Sequence, residues 1–209
     1  YNPPVVNAQL GIRAGVIRSA HRVTRMLMEA DVSTIVFAGS RLHVEILLKY
    51  LRETAVRERL PPESIQGYRG GYLPLKRRRI EAGLRAGSIR VVVATNALEL
   101  GVDIGSLDAC VIAGYPGSIA SLWQQSGRAG RRGGRSLTVY VARSSALDQY
   151  LVNHPDQLLG STPEHARINP RNLFVLVDHM KCAAFELPFE ADESYADLSP
   201  EETLEVLDH

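Results

Sequence analysis

The sequence predicts an α/β fold: a parallel sheet with helices on both faces, followed by a small helical segment. Three observations predict it. The runs at Thr34–Ala38, 90–94, Ala109–Ala113 and 137–142 are apolar along most of their length rather than alternating, as strands buried on both faces require. Stretches with apolar residues at three-to-four spacing lie between them, the pattern of helices returning the chain across a sheet. The polar and glycine-bearing segments Ser40-Arg41, Arg69-Gly70-Gly71 and Thr95-Asn96 each follow a strand. Open α/β sheets bind ligands beyond the carboxyl ends of their strands, so these segments are expected to converge on one edge.

Taken in order, residues 15–30 carry Val16, Ile17, Ala20, Val23, Met26, Leu27 and Ala30 on one helical face. Ser40 is placed to cap the helix after Thr34–Ala38, and Val44, Leu47, Leu48 and Leu51 form that helix's apolar face. Pro61-Pro62 breaks it. A short strand at 64–68 runs into Arg69-Gly70-Gly71, where the glycines imply a tight bend or the close approach of another backbone. Pro74 sits near the start of a helix running to Ala86, and Gly87 closes it. In the tail, Thr162-Pro163 and Asn169-Pro170 each set a capping residue before proline and predict helix starts. Leu173, Leu176, Val177, Met180, Ala183, Ala184 and Leu187 then give an apolar stripe. Ser199-Pro200-Glu201-Glu202 reads as a capping box opening a last, acidic helix.

The 209 residues, 45% of them hydrophobic, suffice for one core plus an appendage. No apolar run approaches the roughly 18 residues of a membrane span, so no membrane partner is expected. The chain opens Tyr1-Asn2-Pro3-Pro4 without Met and reads as a fragment of a longer protein. Cys110 and Cys182 form neither a disulfide framework nor a zinc set, and no metal site is expected. Cys110 lies in an apolar run and reads as a buried strand thiol; a reducing, cytoplasmic setting fits. The net charge of +1 conceals a segregation: residues 1–150 hold 21 Lys+Arg and 11 Asp+Glu, whereas 151–209 hold 3 and 12. A basic body joined to an acidic tail suggests a polyanionic partner for the body. A solvated mixed surface would explain the totals but not the segregation. A division into 1–150 and 151–209 follows.

The most specific stretch is Gln124-Gln125-Ser126-Gly127-Arg128-Ala129-Gly130-Arg131. Two arginines three residues apart on a glycine-spaced turn can be aimed at one anion, and the planar guanidinium suits phosphate oxygens. A solvated basic turn is the alternative. Upstream runs Ala94-Thr95-Asn96-Ala97-Leu98-Glu99-Leu100-Gly101-Val102-Asp103. Together, in this order and spacing, the two resemble motifs VI and V of superfamily 2 helicases. Val36-Phe37-Ala38-Gly39-Ser40-Arg41 resembles motif IV, and Tyr68-Arg69-Gly70-Gly71 the loop after it. The resemblance covers roughly residues 33–143. The wording "ATNALELGVDIGSLDACVIAGYPGSIASLWQQSGRAGRR", followed by "LDQYLVNHP" and "HMKCAAFELP", is similar to the YprA-type (MrfA) group of DNA-repair helicases and extends the match to about residue 190.

The resemblance implies a second RecA-like domain in 1–150, the start of a helical accessory region in 151–209, and use of ATP and Mg²⁺. Arg131 would be the arginine finger, Arg128 a second γ-phosphate contact, and Gln124 would orient nearby groups. Gly101 would allow close approach of the nucleotide, and Asp103 would accept from a ribose hydroxyl; Asp103 as a turn or cap residue is the other reading. Thr95 would offer its hydroxyl and backbone N–H to a nucleic-acid phosphate, which is compatible with its capping the turn at 96–100. Ser40, Arg41 and Arg69 would be further backbone contacts to single-stranded or duplex DNA. The run Lys76-Arg77-Arg78-Arg79 reads mostly as a solvated face, with Arg77 available to bridge motifs. Trp123 could stack a base, but anchoring its helix in the core is the favoured reading. His179 and Cys182 share a helix at i, i+3, which without further ligands is not a metal site.

No G-x-x-x-x-G-K-[ST] occurs, and none of the three lysines follows a glycine. The one Asp-Glu pair, Asp192-Glu193, lies in an acidic polar stretch rather than after a strand. The phosphate-cradling lysine and the Mg²⁺-holding acids are therefore expected in an upstream RecA-like domain of the same chain. Two rival readings remain: a non-catalytic nucleic-acid-binding module with a degenerate nucleotide site, and an RNA helicase. Intact Arg128, Arg131 and Asp103 argue against degeneracy; only the "NALELG" wording favours DNA.

Overall fold

The structure, a computed structural model, describes residues 1–105, 107–130, 135–164 and 169–208. A small antiparallel hairpin, β1 (Val5–Asn7) and β2 (Ile12–Arg13), precedes helix α1 (Val16–Glu29). There follow β3 (Thr34–Ala38), α2 (Arg41–Arg57), β4 (Ile65–Tyr68), α3 (Pro74–Ala86), β5 (Val91–Ala94), β6 (Ala109–Ala113), α4 (Ile119–Ser126), β7 (Leu137–Val141), α5 (Ala146–Asn153) and α6 (Pro155–Leu159). Strands β3 to β7 form one parallel sheet in the order β4-β5-β3-β6-β7. The RecA-like α/β architecture expected from the sequence is present.

The pleat sorts each strand onto two faces. Ile35 and Phe37 of β3 join Val92, Cys110 and Ile112 on one face, under Ile80 and Leu84 of α3, Leu122 of α4 and Leu151 of α5. Val36 and Ala38 join Val93, Val111 and Val141 on the other, under Ala20 and Met28 of α1 and Val44, Leu47 and Leu51 of α2. Burial on both faces is what makes the strands continuously apolar. Leu47 and Leu51 are fully buried, and truncating either to Ala would cost about 2–5 kcal/mol.

Local signals set the helix ends. Ser40 Oγ accepts from His43 N at 3.2 Å and starts α2. Pro74 opens α3, and Gly87, at φ +74°, closes it in the left-handed conformation that favours glycine. Chain leaving β3 enters α2 on one face of the sheet, whereas chain leaving β6 enters α4 on the other. The β3–β6 junction is therefore the topological switch point, where a crevice opens at the strands' carboxyl ends.

The chain divides into two compact units, Tyr1–Glu164 and His165–His209. The residue-150 boundary is one of composition, where the charge balance changes; Leu151 and Leu158 just beyond it pack into the first unit's core. In the second unit, α7 (Leu173–Glu186) and α8 (Pro200–Leu207) surround a small core of Leu176, Met180 and Leu198. Of the expected stripe on α7, only Leu176 and Met180 are buried, and Leu173 and Leu187 are exposed. The Ser199–Glu202 capping box forms in both directions, with Ser199 Oγ accepting from Glu202 N and Glu202 Oε2 from Ser199 N.

Two expected helix starts are corrected. Residues 162–164 are not helical; the Glu164 carboxylate instead accepts from the free N–H groups of Ile119 (2.6 Å) and Ala120 (3.2 Å) at the start of α4. Helix α7 starts after Asn172 rather than at Pro170, because Asn172 Oδ1 accepts from Phe174 N and Val175 N. Asn169 serves a turn, bonding Arg171 N at 3.2 Å. Among the described residues no helix is long and apolar enough to cross a membrane.

Candidate nucleotide and nucleic-acid site

The strand-end segments meet in a cleft of about 520 Å³ at the switch point. Ser40 and Arg41 after β3, Gly70 after β4, Thr95 after β5, Gly114 and Tyr115 after β6 and Arg143 after β7 line it. Ser40 and Thr95 act as caps through their oxygens: Ser40 Oγ accepts from His43 N, and Thr95 Oγ1 from Ala97 N at 3.4 Å. A hydroxyl that accepts in this way keeps its hydrogen to donate. The backbone N–H of Thr95 bonds Tyr68 O at 3.3 Å, so of the two donors expected from Thr95 the sheet takes one.

Arg41 is exposed and lies over Gly70, where a Cβ would sit 3.3 Å from Nη2. The close approach that this glycine accommodates is by a side chain. Arg69 does not line the cleft; its Nε donates to Glu45 Oε1 at 2.7 Å, and its guanidinium packs 4.9 Å from the Tyr72 ring. The hydrogen bond from Arg69 holds the Glu45 carboxyl below its ordinary range. Lys76 Nζ lies 3.8 Å from the same ring, so Tyr72 carries two cations on the surface of α3 and the preceding loop. Lys76, Arg78 and Arg79 are exposed, whereas Arg77 is half-buried beside the Tyr68 ring.

The segment after β5 and the segment ending α4 are tied together. Arg128 is buried, and its guanidinium clasps the other segment's backbone. Nε and Nη2 donate to Glu99 O at 3.0 and 2.6 Å, and Nη1 to Val102 O at 2.6 Å. Glu99, also buried, reaches back: Oε1 accepts from Ser121 Oγ at 2.7 Å and Oε2 from Gln125 Nε2 at 2.8 Å. Gly130 N bonds Leu107 O at 2.9 Å, fixing the turn beyond Arg128 to the chain entering β6. Arg131 lies outside the described residues.

Gly101 takes φ +74°, and a Cβ there would meet open space, so conformation calls for glycine at this position. Asp103 is exposed, its Oδ1 accepts from Gly105 N at 3.1 Å, and its backbone oxygen accepts from Arg85 Nη1 at 2.8 Å. The turn reading of Asp103 is thus realised in the geometry. Gln124 is exposed on α4. Trp123 is 46% exposed, so it does not anchor the helix in the core; Leu122 and Gln125 do.

Sequence reasoning missed three residues of this site. Glu99 is one. Asp148 is a second: buried on α5, its Oδ1 accepts from Tyr115 N (3.0 Å), Tyr140 Oη (2.7 Å) and Arg143 N (3.0 Å), and its Oδ2 from Ser145 Oγ (2.7 Å). Burial disfavours its charge, but these donors outweigh burial and hold the carboxyl below its ordinary range. The third is Arg143, which obeys the same rule as Ser40 and Thr95 by following a strand. The spacing Ser145-x-x-Asp148 was the legible sign of α5.

Cys110 is buried, and burial pushes its thiol up; Cys182 and His179 are exposed. Among the described residues no group of three or more His, Cys, Asp or Glu could hold a metal. The donor set therefore does not fit a Mg²⁺ ion held by this chain's own described side chains.

The chain is 55% identical over 207 residues to the uncharacterized ATP-dependent helicase YprA of Bacillus subtilis, covering 99% of this chain and 28% of that protein. It is 41% identical over 204 residues to the ATP-dependent helicase HRQ1 of Saccharomyces cerevisiae, covering 93% of this chain and 19% of that protein. The crystal structure of the DUF1998 helicase MrfA bound to DNA and AMPPNP superposes with a TM-score of 0.89 at 54% identity, covering all of this chain and 29% of that one. The Mycobacterium smegmatis helicase Lhr bound to ssDNA and AMP-PNP follows with a TM-score of 0.75 at 31% identity, covering 91% of this chain and 25% of that one. The chain thus spans less than a third of the length of each of these relatives. Residues 18–133 match the helicase conserved C-terminal domain, and the chain belongs to that family.

Proposed function

We propose that residues 1–150 are the second RecA-like motor domain of an ATP-dependent DNA helicase and that 151–209 begin a helical accessory region. The chain would then provide half of an ATP site, the other half coming from an upstream domain of the same polypeptide. The observation that carries this reading is the clasp of Arg128 on the 99–102 backbone beside the cleft of Ser40, Arg41 and Thr95. One segment then serves both ligands: Thr95 at its start is assigned to the strand, and Gly101 and Asp103 at its end to the nucleotide.

ATP, when bound, would supply the transferable γ-phosphoryl group, and Mg²⁺, its ligands expected in the upstream domain, would neutralise phosphate charge. Arg131 stabilises charge developing in the transition state, an effect worth about 10³–10⁵ in rate. Arg128 holds the 99–102 backbone in register and adds a second cation near the γ-phosphate. Gln124 orients neighbouring groups, Gly101 lets the nucleotide approach the backbone, and Asp103 accepts from a ribose hydroxyl. Ser40 and Thr95 donate hydroxyl hydrogens, and Arg41 and Arg69 supply positive charge, along the sugar–phosphate backbone. Such contacts position a strand without reading its sequence.

DNA rather than RNA is favoured by the solved relatives, which are described as bound to DNA. A role in DNA repair and a cytoplasmic setting are the finer parts of the proposal. The test is ATP hydrolysis and strand separation by the full-length protein with single-stranded DNA, duplex DNA or RNA. Stimulation by DNA supports the reading. No stimulation by any nucleic acid refutes it, and stimulation by RNA alone moves it to the RNA reading.

A further inference from the structure

We infer that Arg143, supplied by the loop after β7, is a further contact for a nucleic-acid phosphate. This rests on the reading of the cleft as a strand path. Arg143 lines the cleft that holds Ser40, Arg41 and Thr95, whereas Gly101, Asp103 and Arg128 lie outside its lining. Its position groups it with the strand contacts rather than with the nucleotide contacts.

The side chain has a built seat. Arg143 is half-buried, and Nη2 donates to Ala113 O at 3.2 Å, at the end of β6. Two glycines make room for it. A Cβ on Gly39 would stand 2.7 Å from Nη2, and one on Gly114 would overlap Nε. The root of the side chain is fixed as well: Arg143 N donates to Asp148 Oδ1 at 3.0 Å, and Arg143 O accepts from Gln149 Nε2 at 2.7 Å. A guanidinium is thus laid across the ends of β3 and β6.

Its chemistry is unfinished within the chain. Nε is buried and has no hydrogen-bond partner among the described residues, and the guanidinium makes no ion pair among them. The carboxylate it touches, Asp148, receives its backbone N–H and not its charge. Glu99, the acidic residue lining the cleft, already accepts from Ser121 and Gln125. A permanently charged group that lines the cleft without an ion pair among the described residues calls for an anion. A phosphate oxygen of the strand is the anion that the neighbouring hydroxyls and Arg41 also suit.

The test uses the full-length protein, wild type, Arg143→Gln and Arg143→Lys. Binding of a single-stranded DNA oligonucleotide is measured at several salt concentrations, with thermal unfolding and nucleotide affinity without DNA measured alongside. Arg143→Gln should weaken strand binding about tenfold or more. It should also flatten the log–log salt dependence by about 0.7, the value for one phosphate contact on a single strand. Arg143→Lys should keep the slope and recover part of the affinity, since it retains charge but not the fork. Nucleotide affinity should match wild type, and melting should fall by no more than loss of the single Ala113 hydrogen bond allows. Unchanged strand affinity and slope overturn the inference. So does weakened binding with an unchanged slope, which marks a purely structural role, or an equal loss of nucleotide affinity, which assigns Arg143 to ATP. A wild-type protein that binds no strand removes this inference and the proposed function together; a binding wild type with an indifferent Arg143→Gln removes this inference alone.

Discussion

Arg128 offers the sharpest separation between a residue that only meets substrate and one that also holds the fold. A finger projecting into solvent can be deleted with little effect on stability. Arg128 does not project: it is 5% exposed and donates three hydrogen bonds to two backbone carbonyls, those of Glu99 and Val102. Arg128→Ala leaves both carbonyls facing a void. A buried acceptor left without its partner costs about 1–3 kcal/mol. Two such carbonyls, partly relieved by entering water, give a loss of about 2–4 kcal/mol. For a chain of this size each kcal/mol moves the midpoint by about 2–4 °C, so a Tm fall of roughly 5–15 °C is expected. Thermal unfolding of the 209-residue chain followed by circular dichroism is the assay. The midpoint should fall for Arg128→Ala, and Arg128→Lys should recover little, because an ammonium cannot span two carbonyls as the fork does. A midpoint equal to wild type in Arg128→Ala would refute the clasp as a source of stability and leave Arg128 with a phosphate role only.

Arg131→Ala in the full-length protein should lower kcat for ATP hydrolysis by about 10³ or more while strand affinity stays near wild type, since a finger acts on transition-state charge; a wild-type kcat would end the assignment. The isolated chain should not hydrolyse ATP, with or without DNA, because it has no phosphate-loop lysine; sustained turnover by the purified fragment would contradict the half-site. Asp148 adds a pH dependence. Its folded carboxyl is held below the ordinary value of 3.8, so its stabilisation is complete above that value and is lost as pH falls through the lower folded one. Asp148→Asn should therefore reduce the urea midpoint at neutral pH and shrink the further drop on going to about pH 3; an unchanged drop would mean that other carboxylates govern acid unfolding.

The sheet and its flanking helices were legible because their signals are local. Strands buried on both faces must be apolar throughout, and Thr34–Ala38 and Ala109–Ala113 are. Ser40, Pro74 with Gly87 and Ser199 with Glu202 end their helices through backbone groups at most a few residues away. The tail was less legible because its capping residues compete. Asn169 and Asn172 both suit a helix start, and only the bonds to Phe174 and Val175 decide for Asn172. Glu164 was out of reach for another reason: its partners, Ile119 and Ala120, lie far away along the chain. Asp148 and Glu99 belong to the same class, with hydrogen bonds that cross between segments and leave no periodicity.

That distinction bears on the two motif segments. Read singly, 94–103 and 124–131 are a turn after a strand and a basic turn after a helix. Their shared meaning lies in the contacts between them, in which Arg128 holds the backbone at Glu99 and Val102 while Glu99 holds Ser121 and Gln125. Each half of this clasp needs the other: without Glu99, Gln125 Nε2 would lose its acceptor, and without Arg128, the carbonyls of 99 and 102 would lose their donor. A shift at Thr95 then cannot be absorbed within its own loop, because the segment that carries Thr95 is bonded at both Glu99 and Val102 to the helix end that leads to Arg131. The clasp thus joins the segment after β5 to the end of α4, and it gives a physical reason for the order and spacing of the two motifs.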